Sequence, residues 1–145
     1  MSRKDARRHA FHLIFQFPYY SSWDAQSLAA STAHYYDGLE DGERPRGGDA
    51  QYVLRAVTGT LDRREQLDGV ITQFLKEWTI ERLNRVDLAL MRLAIYEMLC
   101  EPDVPPAVAV NEAVELAKEY GTDESSSFIN GVLGNVSRSL KAENT

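Results

Sequence analysis

Four cations crowd the start of this chain: Arg3, Lys4, Arg7 and Arg8, at i, i+1, i+4 and i+5. On a helix that spacing gathers them on roughly one side. Guanidinium and ammonium groups arrayed in this way match a phosphate backbone through Coulomb attraction and counterion release. Asp5 alone opposes them, so residues 1–15 carry +3 and the rest of the chain −9. An acidic body with a basic head offers a place for an anionic partner, because a local stripe matters more than the total charge. Rings extend the pattern. Phe15, Phe74 and Trp78 fall near the ends of their helices, where bases of a single strand can stack, each worth about 1–3 kcal/mol. His12, close to Arg7 and Arg8, adds a flat ring with a hydrogen-bonding edge. The residue types therefore predict an RNA-binding set of Arg3, Lys4, Arg7, Arg8, His12, Phe15, Phe74 and Trp78, with the arginine side chains facing water.

Other constellations carry less chemistry. His9 and His12 stand i, i+3, a spacing that could seat two imidazoles on one metal, but no carboxylate follows in the same helix to complete a site, and His34 belongs to another element. Glu112, Glu115 and Glu119 share one side of a helix away from its apolar row, the pattern of a solvated face. Ser125, Ser126 and Ser127 lack the strand-to-helix elbow of a nucleophilic serine. Gly47-Gly48 is not followed by the Lys-Ser or Lys-Thr of a phosphate loop. No catalytic residue, metal or cofactor is expected.

The elements that must position these groups are helical. Five prolines and nine glycines interrupt 145 residues, and the stretches between them carry Ala, Leu, Glu, Lys and Arg at helical spacing. A chain of this length buries roughly 68% of its unfolded surface, which suffices for a core without disulfides. The single cysteine, Cys100, rules out a disulfide framework and a cysteine zinc site. No apolar run approaches the roughly 20 residues of a membrane span, and no signal-type segment opens the chain, so a cytoplasmic protein is expected. Helices are predicted over Arg3–Phe17, stopped by Pro18, over Trp23–Tyr36, over Ala50–Glu77 with a break at Arg63–Leu67, and over Asn84–Cys100. A further helix opens at Pro105-Pro106 and closes at Gly121, and a last one is capped by Thr122 or Asp123. Residues 37–49 read as a loop. Val53, Leu54, Val57 and Leu61 should face the core together. Asn84–Cys100 is apolar on nearly every side and should be the central helix. The total is six to seven helices in one domain, residues 1–145.

Three segments carry a resemblance. LALMRLAIYEM (Leu88–Met98), VPPAVAVNEAVELAKEYG (Val104–Gly121) and SSFINGVL (Ser126–Leu133), in this order and at this spacing, closely resemble the NusB family of transcription antitermination factors, and ARRHAFHLIFQF (Ala6–Phe17) looks like that family's basic opening helix. The resemblance covers essentially the whole chain. It implies an all-α fold of two packed helical subdomains and no enzymatic activity. It also implies binding of boxA RNA together with the small-subunit ribosomal protein that acts as NusE, within an RNA polymerase antitermination complex that reads through ribosomal RNA operons. The family's longer arginine run is interrupted here by Asp5, and its usual glutamine and tyrosine are matched by His12 and Phe15.

Within the motif segments, Asn111, Glu112, Phe128, Asn130 and Gly131 are expected to serve packing. Asn111 borders the core row, where its amide would bond to backbone or a neighbouring helix. Gly131 costs about 1 kcal/mol relative to Ala inside a helix, which suggests close approach to another helix or a partner. The competing readings are a NusB-like RNA-recognition module of the kind found in ribosomal RNA cytosine methyltransferases, a helical metalloenzyme built on His9 and His12, and a structural homodimer whose first helix packs on itself.

Overall fold

The computed structural model describes residues 1–17, 23–77 and 79–143. Among them every regular element is helical: α1 (Arg3–Phe15), α2 (Ala25–Asp37), α3 (Gly47–Asp62), α4 (Arg64–Thr72), α5 (Arg85–Cys100), α6 (Pro106–Tyr120) and α7 (Ser125–Glu143), with short 3-10 turns at Asp41–Glu43 and Ile80–Arg82. No helix of the described residues is long and apolar enough to cross a membrane.

Local chemistry accounts for most of the boundaries. The Ser2 side chain caps α1 by accepting from the Asp5 amide, and Asp24 and Ser27 form a reciprocal capping box on α2. Asn84 Oδ1 accepts from the Asp87 amide at 2.8 Å and starts α5. Where periodicity predicts a helix to Phe17, α1 ends at Phe15, and Pro18 lies outside the described residues. The predicted loop at 37–49 is shorter than expected, because α3 already begins at Gly47, whose φ of 54° costs glycine no Cβ clash. The expected break near Arg63 falls between α3 and α4, and α4 stops at Thr72, short of Glu77. Thr122 caps the start of α7 as expected: its Oγ1 accepts from the Glu124 amide at 3.4 Å, and Ser125 Oγ in turn accepts from the Thr122 amide at 2.9 Å. Gly121 closes α6 in an extended conformation and is needed there for space, since a Cβ would stand 2.5 Å from Ser125 Oγ.

The core is organised around α5, whose residues from Asp87 to Glu97 are all buried. It packs on α1 and α3 on one side and on α4, α6 and α7 on the other, so the two helical groups share it as a common wall. Leu54 departs from expectation at 62% exposed. The inward row of α3 runs through Tyr52, Val53, Ala56, Val57, Thr60 and Leu61, and this leaves Leu54 on the outer flank.

Two buried ion pairs join the groups to α5. Arg92 of α5 donates Nε and Nη2 to the two carboxylate oxygens of Asp68 on α4, each at 2.7 Å. Arg7 of α1 donates Nε to both oxygens of Glu97 on α5, at 2.9 and 3.1 Å, and the Tyr52 hydroxyl of α3 donates to Glu97 Oε1 at 2.8 Å.

Candidate nucleic-acid interface

The basic stripe does not face water as one surface. Arg7 is 6% exposed and committed to Glu97, so the expectation that it projects into solvent is corrected. Burial pulls its guanidinium down, but the hydrogen bond and charge of Glu97 outweigh that and leave it raised. Arg8, half-buried, donates Nη1 to Asp5 Oδ1 at 2.9 Å and Nη2 to Glu119 Oε2 at 3.0 Å, so two carboxylates offset its charge. The cations left on the open side are Arg3 and Lys4. Arg3 rests its guanidinium 4.4 Å from the Tyr52 ring centroid and 3.8 Å from Asp49, a contact too exposed to hold it firmly. Lys4 is exposed.

His12 is built into a junction of three helices. Its Nε2 lies 3.1 Å from the Tyr120 hydroxyl of α6, and its ring meets Phe11, Tyr35 and Tyr120. His9 turns its Nδ1 to the Tyr35 hydroxyl of α2 at 2.7 Å. The two imidazoles therefore point at different tyrosines rather than converging on a common point.

Phe15 stands at the C-terminal end of α1, half-buried, with one flank against Phe11. Across its ring lies a residue that spacing alone did not single out: the Arg85 guanidinium sits 4.8 Å from the centroid, and Arg85 Nη2 donates to the Phe15 carbonyl at 3.3 Å. A guanidinium over a ring is itself a platform for a base, by stacking and cation–π attraction. Arg85 follows the α5 cap Asn84, and Asn84 opens a groove of about 330 Å³ lined also by Arg82, Leu83, Asp87, Thr122, Glu124, Ser125 and Phe128. Asp87 at its floor is buried, and its Oδ1 takes no hydrogen bond among the described residues. Burial pushes this carboxyl up, against hydrogen bonds with Ser125 and Asn84 that draw it down.

Phe128 also borders a second groove of about 390 Å³, lined by Phe74, Leu75, Lys76, Glu77, Ser127, Gly131, Val132 and Asn135. The structure thus gathers Phe74, Phe128 and Gly131 at one place, with Phe15 and Arg85 linked to it through the start of α5. Trp78 lies outside the described residues. Phe128 packs against the core as expected while remaining half-buried at the shared edge of both grooves.

The packing expected of Asn111, Asn130 and Gly131, by contrast, is corrected. Gly131 is exposed, and a Cβ there would meet nothing within 4 Å, so no neighbouring helix requires the glycine. Asn111 and Asn130 are exposed, and Asn111 makes no side-chain hydrogen bond among the described residues. Glu112 is half-buried rather than solvated and adds to the negative field around Arg7. Glu119 is taken by Arg8, and of the expected acidic face Glu115 alone pairs along its own helix, with Lys118 at 3.3 Å.

A model of the NusB family matches residues 4–138. The chain is 43% identical over 136 residues to the transcription antitermination protein NusB of Acetivibrio thermocellus, covering 94% of this chain and 88% of that protein. Among solved structures it is similar to T. maritima NusB, with a TM-score of 0.80 and 29% identity over 95% of this chain and 92% of that one. It also shares the fold of a chain in a crystal structure of antitermination factors NusB and NusE in complex with dsRNA, with a TM-score of 0.77 and 22% identity over 94% and 96% of the two chains.

Proposed function

Because this chain belongs to the NusB family, we propose that it is a transcription antitermination factor that binds boxA RNA together with the small-subunit ribosomal protein acting as NusE. In this reading residues 1–145 act as one RNA-binding domain in the cytoplasm, and the protein contributes binding energy to the polymerase complex rather than a catalytic step. The observation that carries the reading is the continuous line from the Phe15–Arg85 platform through Asn84 and the buried Asp87 carboxylate to Phe128. A ring capped by a guanidinium and a second ring at the edge of a groove are parts that hold unpaired bases.

Positive charge is scarce along this line, since Arg7 and Arg8 are neutralised within the fold. Arg3, Lys4, Arg82 and Arg85 remain for phosphates, and a basic ribosomal partner supplies the rest. His12 contributes by packing on Phe11, the ring against which Phe15 rests, while Phe74 extends the stacking surface beyond Phe128.

A titration of the purified protein with boxA-like single-stranded RNA, with and without the ribosomal partner and at two salt concentrations, tests this. Weak binding alone, tighter binding with the partner and a loss of affinity at the higher salt are expected. A partner that leaves RNA affinity unchanged would overturn the cooperative reading.

A further inference from the structure

The RNA-binding reading gives His9 no part and His12 only a packing one, yet among the described residues both sit where α1, α2 and α6 meet through polar rings. Both imidazoles face Tyr35 of α2, with ring centroids 5.6 Å and 5.9 Å away. His9 is buried, bonds Tyr35 through Nδ1 and lies close to Glu43 in the 3-10 turn after α2. A neutral imidazole can offer its Nδ1 lone pair to the Tyr35 hydroxyl. His12 reaches across to Tyr120 of α6.

The charges around this pair are specific. Asp5 and Arg8 on α1 and Glu43 on the 3-10 turn face His9; Arg8 and His9 on α1 and Glu119 on α6 face His12. Two of these carboxylates are already spoken for, because Asp5 and Glu119 both bind Arg8. A proton on His12 would thus sit beside Arg8 and His9 with little free negative charge to meet it, while on buried His9 Glu43 offsets only part of the cost of burial.

What these rings hold is lightly held otherwise. Of the residues of α2, Leu28 alone is buried. With 13 residues, α2 is too short to persist as a helix once detached.

We propose that the His9–His12 pair is a proton-operated latch, which keeps α2 and the following 3-10 turn docked on α1 while both imidazoles are neutral and releases them when the imidazoles take up protons. Burial is the largest influence on both groups and lowers them from the ordinary 6.5, and His12 is lowered further by His9 and Arg8. The docked state therefore binds fewer protons than the open one. Docking is at full strength above pH 6.5 and weakens as pH falls below it, the opening equilibrium rising by up to about tenfold per pH unit for each histidine.

Amide hydrogen exchange of the full chain tests the latch, with protection factors corrected for intrinsic rates and read on peptides from α2 and α5. Between pH 6.5 and about pH 5.5, protection in α2 should fall, by up to about fivefold for each histidine, while α5 holds, and His9→Gln combined with His12→Gln should remove the dependence. The proposal is overturned if α2 protection is flat with pH, if it falls only in step with α5, or if the double variant keeps the slope. NMR titration of the wild-type imidazoles stands even where that variant fails to fold. His9 and His12 should each titrate at lower pH than in the urea-unfolded chain, and equal or higher values would end the idea.

Discussion

Arg7 and Arg3 look alike on a helical wheel and do opposite work. Arg7→Ala would strand Glu97 in the core with Tyr52 as its remaining partner, and loss of one partner of a buried pair costs about 3–5 kcal/mol. Its melting temperature should drop sharply, while the salt dependence of RNA binding at permissive temperature stays as in wild type. Arg3→Ala with Lys4→Ala should do the reverse, flattening the log–log salt slope by up to about 0.7 per lost phosphate contact and leaving stability nearly unchanged. Calorimetry and salt-dependent anisotropy separate the two variants. The aromatic platform gives a second contrast. Phe15→Leu keeps apolar volume and discards the ring face on which Arg85 rests, so RNA affinity should weaken by about 1–3 kcal/mol with a far smaller change in stability. Affinity at the wild-type level would make Phe15 an ordinary packing residue. The difference between Arg7 and Arg3 could not be read from spacing, because Glu97 lies 90 positions away and Glu119 lies 111 positions from Arg8.

Among the elements, α5 was the most legible, since a helix apolar on nearly every side has no choice but the centre. The proline-led start of α6 and its glycine end were equally plain. The α7 surface was not. Gly131 reads as a packing glycine until its surroundings are seen to be open on the groove beside Phe74 and Phe128. Gly131→Ala should accordingly stabilise α7 by up to about 1 kcal/mol, because a methyl group there meets no obstacle and removes backbone freedom from the unfolded chain. Thermal unfolding followed by circular dichroism measures it, and a lower melting temperature would contradict the open geometry. If RNA or the ribosomal partner lies along this groove, the same variant binds less well while melting higher, a separation of effects that a packing glycine would not produce.

At the scale of the whole molecule, α5 is shared by two helical groups and tied to each by a buried charge. Asp68→Ala, which takes both carboxylate bonds from the buried Arg92, should cost about 3–5 kcal/mol and lower the denaturant midpoint of the entire chain in one transition rather than loosening α4 alone. Two separate transitions in urea would show the groups to be independent. The fold class and the family were open to reading from pattern, and the uneven charge pointed toward an anionic partner. What pattern could not supply was the route by which that charge is cancelled, since ion pairs across the core have no signature in local periodicity. The same long separations set an order of events during synthesis. When α1 emerges from the ribosome, Glu97 and Glu119 are not yet made, so Arg7 and Arg8 join Arg3 and Lys4 in a nascent segment of net charge +3. Only after α5 and α6 have followed does the fold draw two of those cations inward, and the newborn chain is therefore stickier toward nucleic acid than the finished protein.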